Sequence, residues 1–159
     1  MRLPLALYRC TTNGHEFKEP IVAGGYGILQ MWSSTPGRTA IEEAATDPVF
    51  DEVLEILRTI PEYAALDDGR RLEAFDAVFG VSCDPDPDGM PYRLNAHPCC
   101  PQCGSCKTKF VCIIEPPEYV EAAIPYATHR EWFSMTRAER RERLRVALQE
   151  HLHPSWPSV

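Results

Sequence analysis

Two short cysteine-bearing turns, far apart along the chain, constrain this fold more than any other feature of it. The first reads Tyr8-Arg9-Cys10-Thr11-Thr12-Asn13-Gly14-His15-Glu16-Phe17, and the second reads Cys99-Cys100-Pro101-Gln102-Cys103-Gly104-Ser105-Cys106. A Cys-x-x-Cys turn presents two sulfurs to one metal ion while its amides donate to them, and zinc takes four such ligands in a closed tetrahedron. Cys100 and Cys103, followed by Gly104 for a positive φ, fit that turn. Two turns sharing one ion would tie the start of the chain to a point beyond its middle. Asn13 stands where the first turn's second cysteine belongs, so a closed site needs a ligand from elsewhere.

The residues around each turn read as β structure. Leu5, Leu7 and Tyr8 lead into Cys10, and Glu16 to Val22 leaves it, which predicts a hairpin. Ala23-Gly24-Gly25-Tyr26-Gly27 reads as a flexible turn, Ile28 to Trp32 as a third strand, and Ser33 to Gly37 as the close of the segment. Lys109 to Ile114 predicts the strand that leaves the second turn, stopping at Pro116-Pro117. Cys112 within that strand, and Cys83 beside Val81, are expected as buried core residues.

Both turns resemble the zinc-ribbon superfamily, especially short bacterial FmdB-type ribbons, whose pattern is Tyr-x-Cys-x-x-Cys-Gly-His-x-Phe followed by Cys-Pro-x-Cys-Gly. The resemblance covers about thirty residues and makes Cys10, Cys100 and Cys103 ligands, with Asn13 at the fourth position. Three outcomes follow. His15, Cys99 or Cys106 replaces the missing ligand and zinc is kept; the site is a relic with its cysteines packed as small hydrophobes; or Cys100, Cys103 and Cys106 recruit Cys10 or Cys112 for an iron–sulfur cluster. The expected metal set is Cys10, His15, Cys100 and Cys103, with Cys99 and Cys106 as alternates.

Between the turns the chain changes character. Residues 38–98 carry fourteen Asp and Glu against five Arg, a net charge of −9, whereas 1–37 and 99–159 each stand at +1. Thr39 and Glu42 read as a capping box that opens a short helix. Asp47-Pro48 is a second start signal, and Val49, Phe50, Val53, Leu54, Ile56, Leu57 and Ile60 recur at helical spacing, leaving Asp51, Glu52 and Glu55 to solvent. Leu72 to Phe79 predicts another helix, with Gly80 to end it. Glu118 to Ile124 reads as one or two helical turns. Thr136 and Glu139 form a further capping box, opening a helix to about His153 with Leu144, Leu148 and Leu152 on one face. The tail 154–159 is expected to be irregular.

The expected fold is α+β in a single domain, 1–159. A small antiparallel ribbon-like β core (1–37 and 99–115) carries an acidic helical insertion (38–98) and a C-terminal helical segment (116–159). At 159 residues and 44% hydrophobic composition, one core of ordinary size can form without disulfides. The run before Tyr8 is too short for a secretory signal core, and four cysteines within 99–106 suit thiolate ligation in a reducing compartment. The expected location is therefore cytoplasmic, and no run approaches the ~18 apolar residues that cross a bilayer.

No nucleophile elbow, phosphate loop, paired His-Glu helix motif or Rossmann turn is present. Asp84-Pro85-Asp86-Pro87-Asp88-Gly89 opens like a calcium loop, but Asn95 stands where a bidentate Glu is needed. His97, His129, His151 and His153 have no partner at a diagnostic spacing. Arg137, Arg140, Arg141, Arg143 and Arg145 make the last helix basic, yet Glu139 and Glu142 interrupt it, so a nucleic-acid partner is not favoured. The resulting expectation is a non-enzymatic protein-binding module, of an inhibitor or immunity type. It would meet a basic partner through an acidic surface at Glu52, Glu55, Asp67 and Asp68. A nucleic-acid or transcription accessory ribbon and a thiol or iron–sulfur redox protein are the alternatives.

Overall fold

Alternation along the first strand sets the frame of the half that carries the two cysteine turns. In β1 (Arg2–Cys10), Ala6, Tyr8 and Cys10 are buried on one face while Arg9 is exposed, as period-2 side-chain placement requires. The computed structural model describes residues 1–25 and 27–155. β1 is the centre of an antiparallel sheet. On one side it pairs β2 (Glu16–Pro20), with Arg9 opposite Glu16 and Tyr8 opposite Phe17. It also pairs β6 (Thr108–Ile113), with Cys10 opposite Thr108. The long N-terminal part of β1 outruns β6, and β7 (Tyr119–Glu121) pairs Arg2–Pro4 there. Glu118 to Ile124 is therefore not helical, because Tyr119 and Val120 complete a ladder that β1 offers.

A second antiparallel sheet follows in the order β4 (Thr39–Glu43), β3 (Ile28–Ser33), β5 (Tyr92–Arg93). The capping box expected at Thr39 and Glu42 is absent. The Thr39 hydroxyl instead donates to the Met31 carbonyl at 2.7 Å, and Thr39 to Glu42 are all buried in the ladder against β3. Five residues between a turn and Asp47 cannot repay helix nucleation, while β-branched Thr39 and Ile41 suit the sheet. Cys112 is another correction. β6 lies at the sheet edge, so Cys112 is exposed beside Phe110, Val111 and Ile113.

The expected single domain resolves into two compact units, Met1–Thr46 with Pro85–Ala127, and Asp47–Asp84 with Thr128–Val159. The acidic segment 38–98 is thus not one helical insertion. Its first residues and those from 85 onward belong to the β unit, and only 47–84 is helical. The C-terminal segment divides likewise at 127.

The helical unit forms as its sequence signals direct. α1 (Pro48–Arg58) starts where the Asp47 side chain accepts from the Val49 amide, and it buries Val49, Val53, Ile56 and Leu57. A single turn, α2 (Pro61–Ala64), leads to α3 (Asp68–Val78), capped by Asp67 on the Arg70 amide. α3 stops at Val78, one residue before a 3-10 turn over Phe79–Ser82 that contains Gly80. α4 (Arg130–Ser134) places Trp132 in the core, and α5 (Arg137–Leu152) opens with the expected capping box and buries Leu144 and Leu148. Phe50, Phe75 and Phe79 meet with ring centroids 4.8–5.6 Å apart. Together the two units make an α+β fold with antiparallel sheets.

Among the described residues no helix is long and apolar enough to cross a membrane. The turn expected at 23–27 includes Tyr26, and the tail expected at 154–159 includes 156–159; those residues lie outside the described ones.

Candidate metal centre

The two turns have the same backbone. In the first, the Gly14 amide donates to the Cys10 carbonyl at 2.9 Å and the Cys10 amide to the His15 carbonyl at 2.8 Å. In the second, the Gly104 amide donates to the Cys100 carbonyl at 2.8 Å and the Cys100 amide to the Ser105 carbonyl at 2.8 Å. Gly14 and Gly104 occupy matching positions at φ 75° and 72°, a conformation that costs an L-residue with a Cβ. Position by position, Cys10 matches Cys100, Asn13 matches Cys103, and His15 matches Ser105. Where the first turn has Asn13 in place of a cysteine, it offers the His15 imidazole two residues later.

β1 and β6 hold the turns side by side. The Thr11 amide and hydroxyl both donate to the Lys107 carbonyl at 2.8 Å, and the Thr12 and Ser105 hydroxyls lie 2.9 Å apart. One ligand atom each from Cys10, His15, Cys100 and Cys103 then falls within 4.8 Å of every other, an arrangement able to hold a metal ion. Cys10 Sγ lies 3.6 Å from Cys103 Sγ, and Cys100 Sγ lies 3.5 Å from His15 Nδ1. A regular tetrahedron with ordinary zinc bond lengths has edges of about 3.8 Å between sulfurs and about 3.5 Å from sulfur to nitrogen. The observed edges match that size.

Burial is graded across the set. Cys10 and Cys100 are both 0% exposed, within a small core formed with Ala6, Tyr8 and Phe17. His15 is half-buried and Cys103 is exposed. The Cys10 thiol is lowered from its ordinary 9.0 to about 7, first by the Asn13 backbone N–H, against burial, and then by the Thr12 amide and the Cys103 and Ser105 side chains. Asn13 thus contributes through its amide, and its exposed residue position takes no part as a ligand. Amides aimed at a sulfur favour its anion, the form that binds metal. Three sulfurs and one imidazole would supply four ligands to an ion from protein alone, the donor count of structural zinc sites.

The alternates Cys99 and Cys106 are corrected: they form a disulfide with each other. Spacing gave no signal for this, because four cysteines in eight positions admit several pairings. The hydroxyls of Thr12 and Ser105, which join the turns, also had no distinctive signal.

The acidic set divides. Glu52 does not face solvent as expected. It accepts from Trp132 Nε1 at 3.0 Å and pairs with Arg140 at 2.6 Å, because α5 packs on that side of α1. Asp67 is exposed but engaged in capping α3. Glu55 is exposed, and so is Asp68, at 3.6 Å from Arg71. Three further arginines of α5 are engaged within the unit, with Arg141 donating to Thr59, Arg143 to Glu131 and Arg145 to Glu142. The carboxylates of the calcium-like stretch are used separately. Asp84 accepts from the Arg130 and Glu131 amides, buried Asp86 accepts from Ser33 and two amides, and Asp88 pairs with Arg38.

Comparison of the chain with family models, with curated proteins and with solved structures gives no match.

Proposed function

We propose that this chain is a non-enzymatic binding module whose β unit is fastened by a structural zinc ion held by Cys10, His15, Cys100 and Cys103. The observation that carries the reading is the approach of four ligand atoms, from turns 85 residues and more apart in number, to within 4.8 Å. The donor set supports zinc over its competitors, since thiolate with imidazole suits zinc while magnesium and calcium take oxygen ligands. The paired turns also support the ribbon resemblance of the sequence, with His15 in the role that Asn13 gave up. Elemental analysis of the purified full chain is expected to find one zinc per chain, and Cys103→Ser to lower that content. Zinc-free protein after growth in zinc-supplemented medium would remove the reading.

The helical unit supplies the binding surface in this account. Asp51, Glu55, Glu62 and Asp68 stay exposed, whereas Glu52 is paired with Arg140. A surface of this sign attracts a basic protein over roughly 8 Å at physiological salt. Charge reversal at Glu55 and Asp68 is expected to weaken capture of such a partner and to reduce the salt dependence of what remains. Unchanged capture would transfer the role to another face.

A further inference from the structure

The Cys99–Cys106 disulfide lies outside the proposed ligand set and beside a small cavity. The cavity, about 190 Å³, is lined by both cysteines together with Arg93, His97, Ser34 and Thr108. The two sulfurs differ in access, for Cys99 is 2% exposed whereas Cys106 is exposed. A nucleophile entering from solvent therefore meets Cys106, and the buried Cys99 is the natural leaving group.

The surroundings also provide for the reduced pair. Cys99 Sγ lies 3.7 Å from the Ser33 carbonyl, and Cys106 Sγ lies 3.6 Å from the Ser34 carbonyl and 3.8 Å from that of Gly104. These carbonyls are within reach of the thiols that reduction would create. Arg93 adds a charge at the cavity wall, and among the described residues no carboxylate pairs with it. Its guanidinium is suited to an anion, most directly a carboxylate.

We propose that Cys99–Cys106 is a redox-active disulfide that exchanges with small carboxylate-bearing thiols bound in this cavity. The incoming thiolate attacks Cys106 Sγ and forms a mixed disulfide. The Cys99–Cys106 bond breaks, its electron pair goes to Cys99 Sγ, and Cys99 takes up the proton the incoming thiol released. A second thiol attacks the mixed disulfide, releasing the symmetrical small disulfide and leaving Cys106 as a thiol. Two small thiols are oxidised and one protein disulfide is reduced. The volume suits a molecule the size of cysteine, since drug-sized ligands occupy roughly 300–1,000 Å³. This proposal does not depend on zinc at the neighbouring site.

The test uses the folded full chain with 3-mercaptopropionate and cysteamine, which carry opposite charges. Loss of the Cys99–Cys106 cross-linked peptide is followed by alkylation and mass spectrometry, each rate being taken relative to that thiol's rate with a small uncharged disulfide. The anionic thiol is expected to be favoured by roughly tenfold, the effect of one nearby charge attracting one probe and repelling the other. Arg93→Ala should abolish the preference and Arg93→Lys should keep much of it. In Cys99→Ser, Cys106 should accumulate a stable mixed disulfide with the oxidised form of the anionic thiol, while Cys106→Ser should leave Cys99 unmodified. A cross-link that survives excess thiol until the chain is denatured overturns the proposal. So does reduction with no charge preference, or a preference that Arg93→Ala leaves intact.

Discussion

The two units of this molecule are held by different means. In the β unit, the segment that carries the turns has only a small apolar core, and two of its members, Cys10 and Cys100, are the buried proposed ligands. In the helical unit, the centre is filled by large side chains such as Ile56, Leu57, Phe79, Trp132, Leu144 and Leu148, and Glu52 of α1 pairs with Arg140 of α5. The segment around the turns depends on what its side chains converge upon, although the second sheet of the same unit buries Met31, Trp32 and Ile41. A unit built around packed apolar surface has no such dependence. The metal account therefore predicts that the same treatment affects one unit and spares the other.

The largest effect is expected from removing metal. Zinc contributes about 10–16 kcal/mol to folding in small zinc-finger peptides, so chelation should cost the β unit its cooperative folding. Hydrogen exchange would show loss of protection at the Cys10, Gly14, Cys100 and Gly104 amides, with α1 and α5 still protected. Equal loss in both units would break the comparison.

Next in size is Glu52→Ala, which strips Trp132 Nε1 of its acceptor and Arg140 of its carboxylate partner, leaving Arg140 the Trp132 and Phe133 carbonyls. Leaving buried donors unpaired costs about 1–3 kcal/mol, measurable as a lower denaturation midpoint of the helical unit, and zinc content should not change.

Acid should give a smaller, graded effect on the same unit. Burial works to raise the carboxyls of Glu52 and Asp84, but hydrogen bonds from Trp132 and Arg140 at Glu52, and from Thr128 and the Glu131 and Arg130 amides at Asp84, outweigh it. Both are held below their ordinary values of 4.5 and 3.8. A depressed carboxyl stabilises the fold fully above its ordinary value, and that stability is lost as pH falls through the folded value. Denaturant titrations of the helical unit should be flat above pH 5 and lose stability below about pH 4, with Glu52→Gln reducing the slope.

The smallest effect is expected from making the first turn chemically like the second. Asn13→Cys combined with His15→Ser moves a ligand by two positions on an unchanged backbone, and zinc affinity should stay within about tenfold of the original, whereas His15→Ser alone should lose zinc.

Much of this was legible from the sequence where local chemistry decides the outcome. Asp47-Pro48, and Thr136 with Glu139, name helix starts because a cap acts within one turn, and the ligand set Cys10, His15, Cys100 and Cys103 is brought together in space. The failures lie where a distant strand decides. Thr39–Glu43 and Tyr119–Glu121 join ladders whose partners are far away in the chain, and local capping or helix signals cannot weigh that alternative. The burial of Glu52 follows from α5, some eighty residues later. The Cys99–Cys106 pairing is one of several that four cysteines within eight residues admit, and spacing does not choose among them.

X-ray absorption at the zinc edge of the purified full chain tests the central claim most directly. The account predicts a four-coordinate ion with three sulfurs at about 2.3 Å and one nitrogen at about 2.0 Å, the nitrogen contribution vanishing in His15→Ala. A shell of four sulfurs, a shell dominated by nitrogen and oxygen, or protein that retains no zinc would contradict it.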